Sequence, residues 1–259
     1  MLVRALKDEI QDAYRSWLEA RGFDPRRGQR QMIADVATVI TDPADRICVI
    51  EAGTGTGKTA AYCLAVIPVA QATGKKIVVS TATIALQEQV LLKDLPDLAE
   101  HTTLDFSYVL AKGRSRYVCL KRLNEALDSN VSMVIPLFDE PRTTELKIYK
   151  SMATSFEQGN WDGELESWEQ PIDPESWRRL TTDHRGCTNN RCNFFQSCPF
   201  FRARGEIDEA DIVVANHDLV LADLNLGGGV ILPSPDETIL VLDEAHHLPQ
   251  KTQQHLTLS

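Results

Sequence analysis

Apolar and polar residues follow two rhythms along this chain. Between residues 5 and 21 the apolar positions return at helical spacing among charges, which predicts an amphipathic helix. Gly22-Phe23-Asp24-Pro25 reads as a turn, and a second helix is expected from about Gly28 to Ile40. Short apolar runs then take over. A strand is predicted over 47–51, a helix to about Ala70, a strand over Lys76-Ile77-Val78-Val79-Ser80, and a helix from Thr83 to Leu92 with Ser/Thr residues to cap it. Strand signals return at Ile212-Val213-Val214-Ala215 and at 238–242, the latter after Gly227-Gly228-Gly229 and Pro233-Ser234-Pro235 have marked a loop. Strands alternating with helices imply a parallel sheet with helices on its faces. From about residue 111 the apolar runs stop, and Cys, Trp, Asn and charged residues dominate, with 138–175 acidic and polar. The expected organisation is an α/β domain made of 1–110 and 205–259, interrupted by an inserted domain at 111–204. No internal repeat is present.

Glu51-Ala52-Gly53-Thr54-Gly55-Thr56-Gly57-Lys58-Thr59 lies between a predicted strand and a predicted helix, the context of a phosphate-binding loop. Gly53, Gly55 and Gly57 let backbone N–H groups turn inward around phosphate oxygens, with Thr54 and Thr56 between them. The following helix N-terminus adds partial positive charge. Lys58 is expected to reach the β- and γ-phosphates of ATP, and the Thr59 hydroxyl to hold Mg²⁺. One position departs from the usual pattern: Ala52 stands where its first Gly would be.

A second half-site lies far downstream. Thr238-Ile239-Leu240-Val241-Leu242 ends in Asp243-Glu244-Ala245-His246. A buried parallel strand reads as a continuous apolar run, and open α/β sheets bind ligands at the carboxyl ends of their strands. Asp243 is therefore expected to hold Mg²⁺ through its water shell, and Glu244 to orient and deprotonate an attacking water. With the phosphate loop, both halves of an ATPase site are in hand.

The 259 residues, 43% hydrophobic and 25% charged, allow one large or two small domains with a sizeable core. No apolar run approaches the roughly 20 residues of a membrane span, and the N-terminus lacks a signal peptide's apolar core, so a cytoplasmic protein without a membrane partner is expected. A net charge of −10 argues against a general nucleic-acid coat protein but leaves room for a basic groove. Such a groove is suggested where Lys112, Arg114, Arg116, Lys121 and Arg122 cluster around Tyr117 with no acidic residue from 111 to 122. Phosphate neutralisation beside an aromatic stacking surface suits a single strand. Trp161, Trp168 and Trp177 sit in acidic company and are expected to pack within the insertion.

The six cysteines divide in two. Cys48 and Cys63 flank the phosphate loop among apolar neighbours and read as buried, unreactive thiols. Cys187, Cys192 and Cys198 are separated by four and five residues, and Cys119 stands at the other end of the same insertion. They look like a four-thiolate site, with Asn189, Asn190, Asn193 and Pro199 as turn formers that let the thiols converge. Zinc prefers ligand pairs two to four residues apart, and iron–sulfur clusters accept wider steps. The spacing favours iron–sulfur over zinc, with free thiols as the third reading.

With these pieces in order, the chain from about residue 20 onward resembles the N-terminal part of DinG-type DNA helicases, in the superfamily 2 branch of XPD-like iron–sulfur helicases. Phe23-Asp24-Pro25-Arg26-Arg27-Gly28-Gln29-Arg30-Gln31-Met32 resembles that family's adenine-reading segment, which implies Gln29 on the base with Arg26 beside it. Ser80-Thr81-Ala82-Thr83 with Leu86-Gln87-Glu88-Gln89 resembles the segment that lies along single-stranded DNA, which implies Ser80, Thr81, Thr83 and Gln87 as contacts beside Arg114, Arg116 and Tyr117. Gly113-Arg114-Ser115-Arg116-Tyr117-Val118-Cys119 and Cys198-Pro199-Phe200 resemble the family's cluster segments, implying a [4Fe–4S] cluster on Cys119, Cys187, Cys192 and Cys198. Ala215-Asn216-His217 resembles its A/V-N-H segment, and Asp243-Glu244-Ala245-His246 its DEAH box. The resemblance implies a RecA-like parallel sheet flanked by helices, with an inserted, mainly helical or irregular iron–sulfur domain. It also implies ATP-driven 5′-to-3′ unwinding in DNA repair or replication by a protein expected to be monomeric, acting on single-stranded and forked or displaced-strand DNA.

In such helicases a second RecA-like domain supplies arginine fingers, worth factors of roughly 10³–10⁵ in rate, and half of the DNA track. This chain carries neither that domain nor the arch expected after the DEAH box. Nucleotide and DNA binding without efficient hydrolysis or unwinding is therefore expected of it. Two other readings of the same features are a redox-sensing DNA-binding module and an RNA-directed ATPase.

Overall fold

The computed structural model describes residues 3–44, 46–53, 55–128 and 143–257. It divides into two compact units, one made of 1–111 and 207–259, the other of 112–206.

The first unit is a parallel α/β sheet flanked by helices, the class the alternating pattern predicts. Its strands are β1 (Lys76–Thr81), β2 (Tyr108–Leu110), β3 (Ile212–Asn216) and β4 (Thr238–Leu242), in the spatial order β2-β3-β1-β4. Every pairing is parallel, with Val79 opposite Val214 on one side and Val241 on the other. Parallel register sends all the carboxyl ends to one edge, so the residues after β1, β3 and β4 emerge together. Those residues are Ala82, His217 and Asp243.

Three long helices pack with this sheet: α1 (Arg4–Arg21), α2 (Arg27–Ile40) and α3 (Lys58–Thr73). The first two are amphipathic and bury one stripe each, including Ile10, Ala13 and Trp17 from α1 and Ile33, Val36 and Ala37 from α2. By contrast, α3 is apolar all round, and Ala61 to Ala70 are buried without a break, as befits a helix enclosed on every side. The core joins these helices to Ile77, Val79, Ile212 and Val214. Trp17 donates its indole N–H to Asp97 Oδ2 at 2.7 Å, tying α1 to α5 (Leu95–His101). The expected helix from Thr83 runs as α4 (Ile84–Gln89), capped by the Thr83 hydroxyl, then passes through a π-turn at Val90–Asp94 into α5.

One expectation fails. Residues 46–52 form no strand, and Ile47 and Val49 are 79% and 91% exposed. An apolar run becomes an inner parallel strand only where a neighbouring ladder pairs with it and both faces are covered. Among the described residues β4 pairs with β1 alone and forms the sheet's edge, with Leu240 and Leu242 exposed.

The second unit has no sheet among its described residues. It holds α6 (Leu120–Leu127), α7 (Thr143–Glu157), α8 (Pro174–Arg179) and most of α9 (Pro199–Glu209). Its core is Val118, Leu120, Leu123, Tyr149, Met152, Trp161, Trp177 and Leu180. The tryptophans pack there as expected: Trp161 meets Trp168 and Trp177 edge-on, at 5.0 and 6.4 Å between ring centroids. Their acidic sequence neighbours belong to the surface, while the indoles supply the apolar area a small domain needs. Among the described residues no helix is long and apolar enough to cross a membrane.

Candidate nucleotide site

The phosphate loop takes the backbone its glycines allow. Gly55 and Gly57 have φ of 74° and 75°, the left-handed region that glycine enters without a Cβ penalty. Gly57 immediately precedes α3, so the helix N-terminus opens from the loop. A Cβ on Gly57 would lie 2.2 Å from Gln29 Nε2. Thr56 closes the turn by donating to the Gly53 carbonyl at 2.8 Å. Thr54 lies outside the described residues.

Lys58 and Glu244, 186 positions apart, meet through Nζ and Oε1 at 2.7 Å. Glu244 has a φ of 53°, an uncommon left-handed conformation for a residue with a side chain. The Lys58 ammonium holds the Glu244 carboxyl below its ordinary pKa. Burial pushes Asp243 up, with Lys58 pulling the other way. Asp243 Oδ1 accepts the Glu244 N–H at 3.0 Å, and Oδ2 accepts the Tyr62 hydroxyl at 3.4 Å. Tyr62 and Asp94, both with pKa values raised by burial, flank the half-buried Thr59 hydroxyl, which lowers each of them. The structure therefore brings Lys58, Thr59, Asp243 and Glu244 to one place. Tyr62 is an addition that motif reading does not supply; its only sequence signal is a polar-tipped aromatic inside an otherwise apolar helix.

Arg26 and Gln29 also reach the loop. Arg26 Nη1 donates to the Gly55 carbonyl at 3.0 Å. Gln29 is buried; its Oε1 accepts the Tyr14 hydroxyl at 3.2 Å, and its Nε2 faces the Gly57 carbonyl at 3.5 Å. In this conformation Gln29 braces the loop.

The expected nucleic-acid residues separate by burial. Ser80 and Thr81 are fully buried and Gln87 nearly so, whereas Thr83 is exposed. Ser80 spends its hydroxyl on His217 Nδ1, at 2.7 Å, and Thr81 donates to the Thr83 carbonyl at 3.1 Å. Strand β1 is covered on both faces, so side chains read as DNA-facing from sequence point into packing instead.

In the second unit Tyr117 is buried edge-on against Phe200, which corrects its expected role as an exposed stacking surface. Arg114 lies over the Phe200 ring at 3.8 Å. Arg116 pairs with Glu166, and Lys112 pairs with Glu164 and Glu166. Those acids stand some 50 positions away, so a local reading of the basic run misses them.

Cys119, Cys187, Cys192 and Cys198 line one cavity, walled by Tyr117, Phe194, Phe195, Phe200 and Phe201. Cys119 precedes α6 and Cys198 precedes α9. Burial raises the Cys198 pKa, and the Phe201 and Phe200 N–H groups pull the other way. All six cysteines are free thiols. Among the described residues no set of three or more His, Cys, Asp or Glu is close enough to hold a metal ion. The expected four-thiolate site is thus gathered as a cavity lining and not as a preformed single-ion site. Of the two remaining cysteines, Cys63 is fully buried, but Cys48 is only half-buried, because the run that carries it is not a covered strand.

A family model described as DEAD/DEAH box helicase matches residues 26–140, and a second, DEAD_2, matches residues 186–259. The ATP-dependent DNA helicase DinG of Photobacterium profundum is 40% identical over 255 residues, 96% of this chain and 37% of that protein. The protein of the same name from Escherichia coli K12 is 40% identical over 265 residues, covering all of this chain and 37% of its own length. A solved XPD helicase covers 89% of this chain and 34% of its own, at 13% identity and a TM-score of 0.48. The chain spans little more than a third of the curated relatives it matches. With the phosphate loop facing the DEAH tetrad across 186 positions of sequence, the chain is similar to DEAD/DEAH box helicases over residues 26–140 and, along its own length, to a little more than a third of the DinG helicases.

Proposed function

We propose that this chain is the ATP-binding and iron–sulfur portion of a 5′-to-3′ DNA helicase. The observation that carries the reading is the 2.7 Å pairing of Lys58 with Glu244, beside Asp243 and at the mouth of the phosphate loop. Lys58 exchanges Glu244 for the β- and γ-phosphate oxygens, and the loop N–H groups and the α3 N-terminus complete the cradle. Released from Lys58, Glu244 orients a water, which attacks the γ-phosphorus while the bond to the β-phosphate oxygen breaks. Glu244 takes the water's proton. Thr59 and Asp243 would hold Mg²⁺, which would neutralise charge on the phosphates. Arg26 and Gln29 stand at the base end of the loop and keep it in shape.

Cys119, Cys187, Cys192 and Cys198 are proposed to hold a [4Fe–4S] cluster. Four free thiols on one aromatic-walled cavity suit thiolate ligation. A cluster spreads its ligands wider than a single ion does. The cluster's contribution is to cross-link α6 and α9 with the 187–192 loop. Single-stranded and forked DNA are the proposed partners. Thr83 and the exposed end of α4 are the contacts the burial pattern favours. Residues 1–259 are expected to bind nucleotide.

Anaerobic purification followed by iron and zinc analysis, with a nucleotide titration on the same sample, tests this. About four irons per chain, absorbance near ~400 nm and ATP binding that Lys58→Ala weakens at least tenfold are the expected results. One zinc in a colourless protein would leave the ATP site and remove the cluster. Undiminished ATP binding by the Lys58 variant would remove the helicase reading itself.

A further inference from the structure

His217 belongs to a sequence motif, and the site described above gives it no task. It follows β3 directly, opens α10 (His217–Asn225) and is fully buried. Asn216 caps that helix by accepting the Leu219 N–H at 2.8 Å, which fixes where the imidazole enters the core. Nδ1 lies 2.7 Å from Ser80 Oγ. Nε2 is buried and makes no hydrogen bond among the described residues. A buried ring nitrogen without a partner is destabilising, so the position calls for an explanation.

The surroundings supply one. The Glu244 and Asp243 backbones lie beside the ring, although no contact reaches hydrogen-bond geometry. With Nδ1 committed to Ser80, the nitrogen left to answer those peptide groups is Nε2. A neutral imidazole carries one N–H. If Ser80 donates to Nδ1, the proton sits on Nε2 and that edge becomes a donor toward the DEAH turn. Ser80 is bound to the same turn by its carbonyl, which accepts the Asp243 N–H at 2.8 Å. The turn needs support, because Glu244 holds a left-handed φ of 53° with its side chain committed to Lys58.

We propose that His217 is a positioning residue of the ATPase site: fixed in its Nε2–H tautomer by the Ser80 hydroxyl, it tightens onto the Glu244 peptide when Glu244 leaves Lys58 and so holds the carboxylate on the attacking water. The proposal rests on the helicase reading and adds to it a role for a residue that touches neither nucleotide nor DNA.

Two replacements separate this from plain packing. His217→Gln places an amide donor near the Nε2 position, and His217→Asn reproduces only the Nδ1 end. In single-turnover ATP hydrolysis the Gln variant is expected to stay within about threefold of wild type. The Asn variant is expected to lose about tenfold or more in maximal rate, with half-saturation by ATP unchanged within twofold. In ¹⁵N-histidine NMR, wild type should show the Nε2–H tautomer, and Ser80→Ala should mix the tautomers. Equal rates for Gln and Asn, or an Nδ1–H tautomer in wild type, would overturn the proposal. A wild-type chain that binds no ATP would instead overturn the helicase reading and this role with it.

Discussion

At Glu244 two demands meet, and the backbone shows it. A carboxylate that is to activate water needs a fixed direction, and a left-handed φ gives one that a relaxed turn would not. Glu244→Gln keeps the shape and removes the base. Nucleotide affinity should hold within a few-fold while the hydrolysis rate falls about 10²-fold or more, read in a single-turnover assay. The Lys58 pairing also makes a pH prediction. Because Glu244 is depressed in the fold, the pair's stabilisation is present above the ordinary carboxylate range and is lost as pH falls through the lowered value. Acid denaturation of Lys58→Met should therefore begin at higher pH than that of wild type, monitored by circular dichroism. Cys63 carries a different expectation. Burial raises its thiol pKa far beyond the ordinary value, so native protein should leave Cys63 unalkylated at pH 8, and mass spectrometry should find it modified only after unfolding. Lys58, Asp243 and Glu244 were legible as a site from motif alone, since their chemistry is carried by residue type and order. Tyr62, Tyr14 and His217 were not, because what they do depends on which distant atom lies beside them.

At the level of elements, the phosphate loop and the loop after α10 illustrate opposite uses of glycine. Gly57 is required twice: by its φ of 75° and by the Gln29 amide 2.2 Å from where a Cβ would stand. Gly57→Ala should expel Gln29 from its Tyr14 bond, with nucleotide affinity falling at least tenfold in a titration. Gly227-Gly228-Gly229 instead wraps a single buried carboxylate. Asp223 accepts N–H groups from Gly229 and Val230 at 2.9 Å and from Ile231 at 2.5 Å. Asp223→Ala leaves those donors without their shared acceptor and should cost about 3 kcal/mol, measured by urea denaturation. From sequence this stretch reads as a loop because glycines punctuate it; the carboxylate that organises it precedes the glycines on a helix and gives no local sign. The 47–51 run shows the limit from the other side. Its composition is that of a covered strand, but strand formation depends on a ladder and a covering layer that lie outside the segment.

Across the whole molecule, the two compact units hold themselves together by different means. The sheet unit has a continuous core of aliphatic side chains around α3. The 112–206 unit relies on a cluster of aromatics, and its four cysteines line one cavity. Loss of the proposed cluster should therefore expose amides of 112–206 to hydrogen exchange while α3 and β1 stay protected; uniform deprotection of both units would contradict it. By itself the sequence determined the parallel α/β class and singled out the phosphate loop and the DEAH tetrad as candidates for one nucleotide site. Apolar periodicity and glycine placement act locally, and those signals survive in one dimension. Only the tertiary structure decided which motif residues face inward. It buried Ser80, Thr81 and Tyr117, paired Lys112 and Arg116 with Glu164 and Glu166, and set Lys58 against Glu244. Burial and ion pairing are properties of approach between distant segments, and one-dimensional spacing carries no measure of that approach.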